Sequence, residues 1–220
     1  MTDTKIPTGT NVVARSASIT FVGIVFQLSV SFISGFIVAR VIGPAAFGLF
    51  NLARTLCESA TVFTKVGFDI GVVRYLGERK VSTSARGNAA FLKLMLIVVA
   101  CLALVPVFAI YLGGGALLQR YVYQYEHFST VMLAMVLLIP LMSLTQVLGG
   151  AFRGYLRIRP RVVAEFFLQP ASRLIIIVIL FFIGWKLWAV ITGTLLSFVL
   201  STLYLLVLCS AVFFSGTNDT

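Results

Sequence analysis

Four charged residues, Arg54, Glu58, Lys65 and Asp69, fall in a stretch from Pro44 to Val73 that is otherwise largely apolar. At 100° per residue they share an arc of about 60° with Asn51. From Arg54 to Asp69 the stripe covers roughly 22 Å of helix at 1.5 Å per residue. A charge placed in hydrocarbon costs roughly 2.5–3.5 kcal/mol on insertion scales, so such groups face protein or water. Two chemistries suit the stripe. Arginines grip phosphate or diphosphate oxygens with a planar fork of donors. Carboxylates, here Glu58 and Asp69, take up a proton or cation and couple it to movement. A plainer arrangement is two i,i+4 pairs, Arg54–Glu58 and Lys65–Asp69, buried as architecture. Base before acid is the weaker order for such pairs, and a buried pair stabilises little compared with apolar residues.

Two other segments offer polar faces. Thr20, Gln27, Ser31 and Ser34 fall within about 60° of one another. Glu165, Gln169, Ser172 and Arg173 share about 100°. Arg173 lies deep in its apolar segment and is a functional candidate as an intramembrane cation. Glu165 stands nearer a basic loop, with which it can simply pair. The cavity-lining candidates for substrate are therefore Gln27, Arg54, Glu58, Lys65, Asp69 and Arg173. Across the three faces, Arg54, Lys65 and Arg173 balance Glu58, Asp69 and Glu165. The expectation is a hydrated path of mixed charge, not a cationic one.

The elements that position these groups follow from composition. The chain has 220 residues, 60% hydrophobic and 11% charged, where a soluble domain has about 45–50% apolar and about 25% charged residues. Its mean hydropathy is +1.05. The net charge of +10 does not suggest nucleic acid, because the basic residues sit mostly in short gaps between apolar runs. A crossing helix needs about 20 apolar residues. The reading is all-α: a six-helix transmembrane lobe over residues 16–214, with spans near 16–40, 44–73, 90–113, 128–152, 162–184 and 187–214. Residues 1–15 form a cytoplasmic tail and 215–220 a polar end. The first span reads as an uncleaved signal-anchor. Prolines 106, 140 and 170 read as kinks, tolerated where neighbours satisfy the backbone.

Orientation comes from basic loops. Lys5 and Arg15, then Arg74, Arg79, Lys80, Arg86 and Lys93, then Arg153, Arg157, Arg159 and Arg161 fall on one side. The other side holds Arg40, Arg120 and Lys186. Both termini are thus expected in the cytoplasm, in a multi-pass protein of the cell membrane. Tyr111, Tyr121, Tyr123, Tyr125, Trp185 and Trp188 would form an outer interfacial belt. Small residues at four-residue spacing (Gly35, Ala39 and Gly43; Gly67 and Gly71; Gly150 and Gly154) suit close helix packing.

Three stretches carry a family resemblance. The segment Arg40-Val-Ile-Gly-Pro-Ala-Ala-Phe-Gly-Leu-Phe50 resembles the first helix–helix junction of polysaccharide and oligosaccharide flippases of the multidrug/oligosaccharidyl-lipid/polysaccharide exporter superfamily. Ile42 replaces the usual Leu there. Gly67-Phe-Asp-Ile-Gly-Val-Val-Arg-Tyr75 resembles the end of the second helix. Gly149-Gly-Ala-Phe-Arg-Gly-Tyr-Leu-Arg157 resembles the exit from the fourth. Locally, Gly43-Pro44 needs no function: it ends one helix and starts the next. The resemblance implies a flippase that moves a lipid-linked glycan across the membrane by alternating access. Arg54 and Arg173 would contact the diphosphate, and Glu58 or Asp69 would couple an ion. It also implies a second six-helix lobe, because family members have two and this chain resembles the first.

Other classes fit less well. His127 is the single histidine, and no nucleophile–base set, metal cluster or nucleotide loop accompanies it. No enzyme activity and no cofactor are expected. Cys57, Cys101 and Cys209 lie in apolar runs and read as small buried hydrophobes. Two alternatives remain open. One is a cation or drug exporter of the same superfamily, using Glu58 and Asp69 for recognition. The other is a non-transporting membrane scaffold whose polar stripe binds a partner helix.

Overall fold

The computed structural model describes residues 9–65, 67–79, 85–114, 128–154 and 158–214, and every described element is helical. In chain order these are α1 (Gly9–Ile42), α2 (Pro44–Lys65), α3 (Phe68–Arg79) and α4 (Ala85–Ala109), which ends in a π turn, Ile110–Gly114. Then come α5 (Phe128–Met135), α6 (Leu138–Gly154), α7 (Ile158–Val162), a π turn Val163–Leu168, α8 (Gln169–Phe182) and α9 (Leu187–Phe214).

Among the described residues, five continuous segments are long and apolar enough to cross a bilayer: Ala17–Ile42, Ala90–Gly113, Phe128–Gly154, Arg159–Phe182 and Leu187–Ala211. A sixth helix, α2, is long enough to cross. Its 22 residues reach about 33 Å, the thickness of a hydrocarbon core, but its charges keep it out of the purely apolar set. The protein is therefore a multi-pass helical membrane bundle.

Its outside is apolar. Phe32, Phe63, Phe108, Phe182 and Leu112 are all more than half exposed, which lipid accommodates and water would not. Inside, α5 and α6 supply Phe128, Met132, Met135, Leu138 and Ile139, packed with Ala53 and Cys57 of α2 and Val190 and Ile191 of α9. Lipid gives helices no hydrophobic reason to associate, so polar side chains and close packing hold them together. Thr64 of α2 and Ser143 of α6 share a hydrogen bond of 2.8 Å. Thr145 of α6 and Thr202 of α9 share another of 2.8 Å. Ser and Thr hydroxyls also return to carbonyls of their own helices, as Ser143 does to Ile139.

The breaks have identifiable causes. Gly43 takes φ 85°, a left-handed conformation open to glycine, and Pro44 opens α2 without needing an N–H. Residues 44–73, expected as one helix, are two. Gly67 takes φ 77° and its carbonyl accepts from the N–H of Ile70 and of Gly71, so a new helix begins there. The span expected over 128–152 is likewise divided at Val136–Leu137. Pro140 cannot donate to the Val136 carbonyl four residues back, and that carbonyl instead accepts from Ile139 at 3.1 Å. Cys57 and Cys209 are buried as expected, but Cys101 is exposed on the outer face of α4. Of the expected aromatic belt, Tyr111, Trp185 and Trp188 are about half exposed. Tyr121, Tyr123, Tyr125 and His127 lie outside the described residues.

Candidate functional site

The stripe on α2 holds its geometry as far as the helix does. Arg54, Glu58 and Lys65 all line one cavity of about 410 Å³. Arg54 Nε donates to Glu58 Oε1 at 2.8 Å. The pair is not sealed away: the two side chains are 31% and 46% exposed. Pairing and a cavity wall, posed as alternatives by the sequence, coexist. The second pairing, Lys65–Asp69, assumed a helix running through Gly67. The break there removes the basis for placing Asp69 on the same arc, and its side chain lies outside the described residues.

Other helices complete the wall. Gln27 comes from α1, Thr145, Gln146 and Arg153 from α6, Arg161 from α7, Glu165 and Phe166 from the π turn, Gln169 from α8 and Phe198 from α9. Arg161 Nε donates to Glu165 Oε2 at 2.8 Å. Arg153 and Arg161, which the sequence suggests only set topology, thus belong to the cavity. The signal that could have found the second of them was the i,i+4 spacing of Arg161 and Glu165 on a helical segment.

This changes the electrostatics. Among the described lining residues, Arg54, Lys65, Arg153 and Arg161 face Glu58 and Glu165, a formal excess of two positive charges. The balanced path expected from the sequence is corrected to a cationic one. Fields focus in clefts with low-dielectric walls, so this excess favours an anion. Neutral donors and acceptors, Gln27, Gln146, Gln169 and Thr145, stand among the charges, as a polar, hydroxyl-rich ligand would need.

Arg173 lies elsewhere. It lines a smaller cavity of about 220 Å³ with Ser31 and Ser34 of α1, Asn51 and Arg54 of α2, and Val190 of α9. Its Nε is buried and donates to no protein acceptor. No carboxylate is among the described residues that line this compartment. Arg54 belongs to both cavities, so the two are neighbours along α2 with one guanidinium between them.

The backbone around Glu165 is unusual. Val163–Leu168 is a π turn between Pro160 and Pro170, and the N–H of Gln169 reaches five residues back to the Ala164 carbonyl. Pro170 has no N–H to offer the ordinary helical register, and such wide turns recur at functional sites. Two helices hold the turn in place. Ser201 Oγ of α9 donates to the Ala164 carbonyl at 3.3 Å. Phe26 of α1 stacks on Phe167, ring centroids 4.8 Å apart. Gly23 of α1 meets Phe166 and Val162 so closely that an added Cβ would stand 3.1 Å from either.

Comparison with known proteins gives one match. Residues 13–218 match the family described as polysaccharide biosynthesis protein. No curated protein and no solved structure matches.

Proposed function

From the premise that the chain belongs to the polysaccharide biosynthesis protein family, and is therefore a membrane protein of polysaccharide-related transport, we propose that it is a flippase lobe for a lipid-linked glycan. The substrate's phosphate or diphosphate enters the larger cavity while its lipid remains in the bilayer. The observation that carries this reading is the cationic excess of the cavity, set among helices that otherwise face lipid. Arg54 supplies a bidentate fork, Lys65 a point charge, and the amides of Gln27, Gln146 and Gln169 suit sugar hydroxyls. Glu58 holds Arg54 in place and competes with an incoming anion for it.

The mechanism we propose is alternating access, with the cavity closed by a second six-helix lobe in the cytoplasmic membrane. In transporters built from two halves the site lies at the interface between them. The partial exposure of Arg54 and Glu58 supports this, because such groups face protein or water and not lipid. The same cationic excess disfavours the export of cationic drugs. Arg173 and Asn51 provide a further anion station beyond Arg54. Asp69 retains a proposed part in ion coupling from its place on α3.

The experiment is complementation. Cells that depend on this protein for surface polysaccharide should lose about tenfold or more of it when Arg54 and Lys65 become Ala, since a charge-assisted contact is worth roughly 1.5–3 kcal/mol. Arg54→Lys should fall between, keeping the charge but losing the fork. Normal polysaccharide from the double variant, at normal protein levels, would count against the reading.

A further inference from the structure

Glu165 uses half of its carboxylate. Its side chain is 15% exposed and lies within the crossing segment Arg159–Phe182. Oε2 accepts from Arg161, while Oε1 is buried and accepts no hydrogen bond from the described residues. An ionised carboxylate has places for about four, and a bare anionic oxygen in a low-dielectric wall is costly. Gly149 of α6 presses on this oxygen from one side: an added Cβ would stand 2.5 Å from Oε1. The Glu165 side chain is also part of the wall of the larger cavity, which gives protons a route to the carboxyl.

Arg161 is the counterpart. It lines the same cavity and is 25% exposed. Its Nε is committed to Glu165 while that residue is ionised. A protonated Glu165 no longer holds it by charge, and the excess in the cavity wall rises by one.

We propose that the Arg161–Glu165 pair is a proton-operated latch on an anion-binding arginine. A proton from cavity water binds the Glu165 carboxyl. Arg161 is released to take an oxyanion of the phosphate or sulfate class, and proton and anion are held together. The proposal rests on the reading of the cavity as an anion site and adds its regulation. The other charged groups facing this cavity are Arg54, Glu58 and Lys65 on α2 and Arg153 on α6. From α1 and α9 come Gln27 and Phe198, which do not titrate. Glu58 is thus the competing proton acceptor among the described lining residues. The sign is fixed: the anion prefers the protonated latch, so affinity rises as pH falls, and by reciprocity the anion raises the proton affinity of Glu165.

Sulfate is the probe, because its own charge does not change in the range used. Calorimetric titration into the protein in zwitterionic nanodiscs, between about pH 5 and pH 8, should show affinity tightening by up to about tenfold per unit of falling pH. Comparison of buffers with different ionisation heats should show proton uptake with each sulfate bound. Glu165→Gln, neutral and of equal size, should bind tightly throughout without uptake. Glu58→Gln removes a competitor for Arg54 and should shift affinity at every pH, but proton uptake with each sulfate should persist. Native binding that ignores pH, or takes up no proton, overturns the latch and leaves the anion cavity standing; this readout needs no variant. A pH dependence lost in Glu58→Gln and kept in Glu165→Gln overturns it too. Absence of sulfate binding at every pH, or binding untouched by replacing Arg54 and Lys65 together, sinks the latch and the cavity reading alike.

Discussion

Gly149 of α6 and Glu165 of the π turn meet with no room for a methyl group between them: a Cβ on Gly149 would stand 2.5 Å from Glu165 Oε1 and 3.2 Å from Arg161 Nε. The ion pair therefore lies directly across the backbone of α6. A glycine here is a condition of the cavity's shape, since any larger residue moves the carboxylate.

Gly149→Ala should show this. The carboxylate ends a flexible side chain, so it will shift before the helices do, and the Arg161 bond will lengthen or break. Overpacking of this kind costs typically about 1–3 kcal/mol. Gly48, also helical, has nothing within 4 Å of an added Cβ, and Gly48→Ala should be neutral or slightly stabilising. Thermal unfolding of both variants in detergent measures the contrast. Equal melting temperatures would mean that α6 and the π turn are less closely packed than described.

Gly67→Ala tests the break between α2 and α3. Nothing lies within 4 Å of an added Cβ there, so the cost is that of the backbone alone. At φ 77° an L-residue pays roughly 1–2 kcal/mol. Asn tolerates the left-handed region better, so Gly67→Asn should recover part of the loss. A fully stable Gly67→Ala protein would mean that α2 can run on into α3. The spacing that groups Asp69 with Lys65 would then hold across position 67.

That distinction also marks how far spacing alone could reach. The shared face of Arg54, Glu58 and Lys65 is legible because they lie on one unbroken helix, where 100° per residue holds. Asp69 stands two residues past a left-handed glycine, and the arithmetic fails there. The Gly43-Pro44 junction and the charge-free spans were equally legible, being local. Arg153 and Arg161 were not. In one dimension a cation beside a short loop reads as a topology signal. Only the packing of α6 against α2, and of α7 against α1 and α6, turns both toward the cavity and tips its charge balance. The division before Pro140 was in principle readable, because proline removes the bond to the carbonyl four residues earlier.

The hydroxyl bridge between Thr145 and Thr202 should couple α6 to α9 modestly. Interhelical hydrogen bonds in membranes average about 0.6 kcal/mol by double-mutant cycle, because the unfolded helices also find partners. A cycle of Thr145→Val and Thr202→Val in unfolding experiments should give a coupling of that order. Zero coupling would assign the helix contact to packing alone.

Cavity electrostatics can be read by reaction rate. With Cys57, Cys101 and Cys209 replaced, a cysteine at Gln146 faces the larger cavity. A cysteine at Phe63 faces outward, where the native side chain is 79% exposed and meets lipid. Thiosulfonate reagents react with thiolate in water, so position 146 should label and position 63 should stay nearly inert. At position 146 the anionic reagent should react about tenfold or more faster than the cationic one, relative to their rates with a free thiol, because a positive cleft concentrates anions. Added salt should shrink the ratio, and Arg153→Gln with Lys65→Gln should bring it toward one. A ratio below one in the native background would mean that Glu58 and Glu165, and not the arginines, govern the field that a ligand meets.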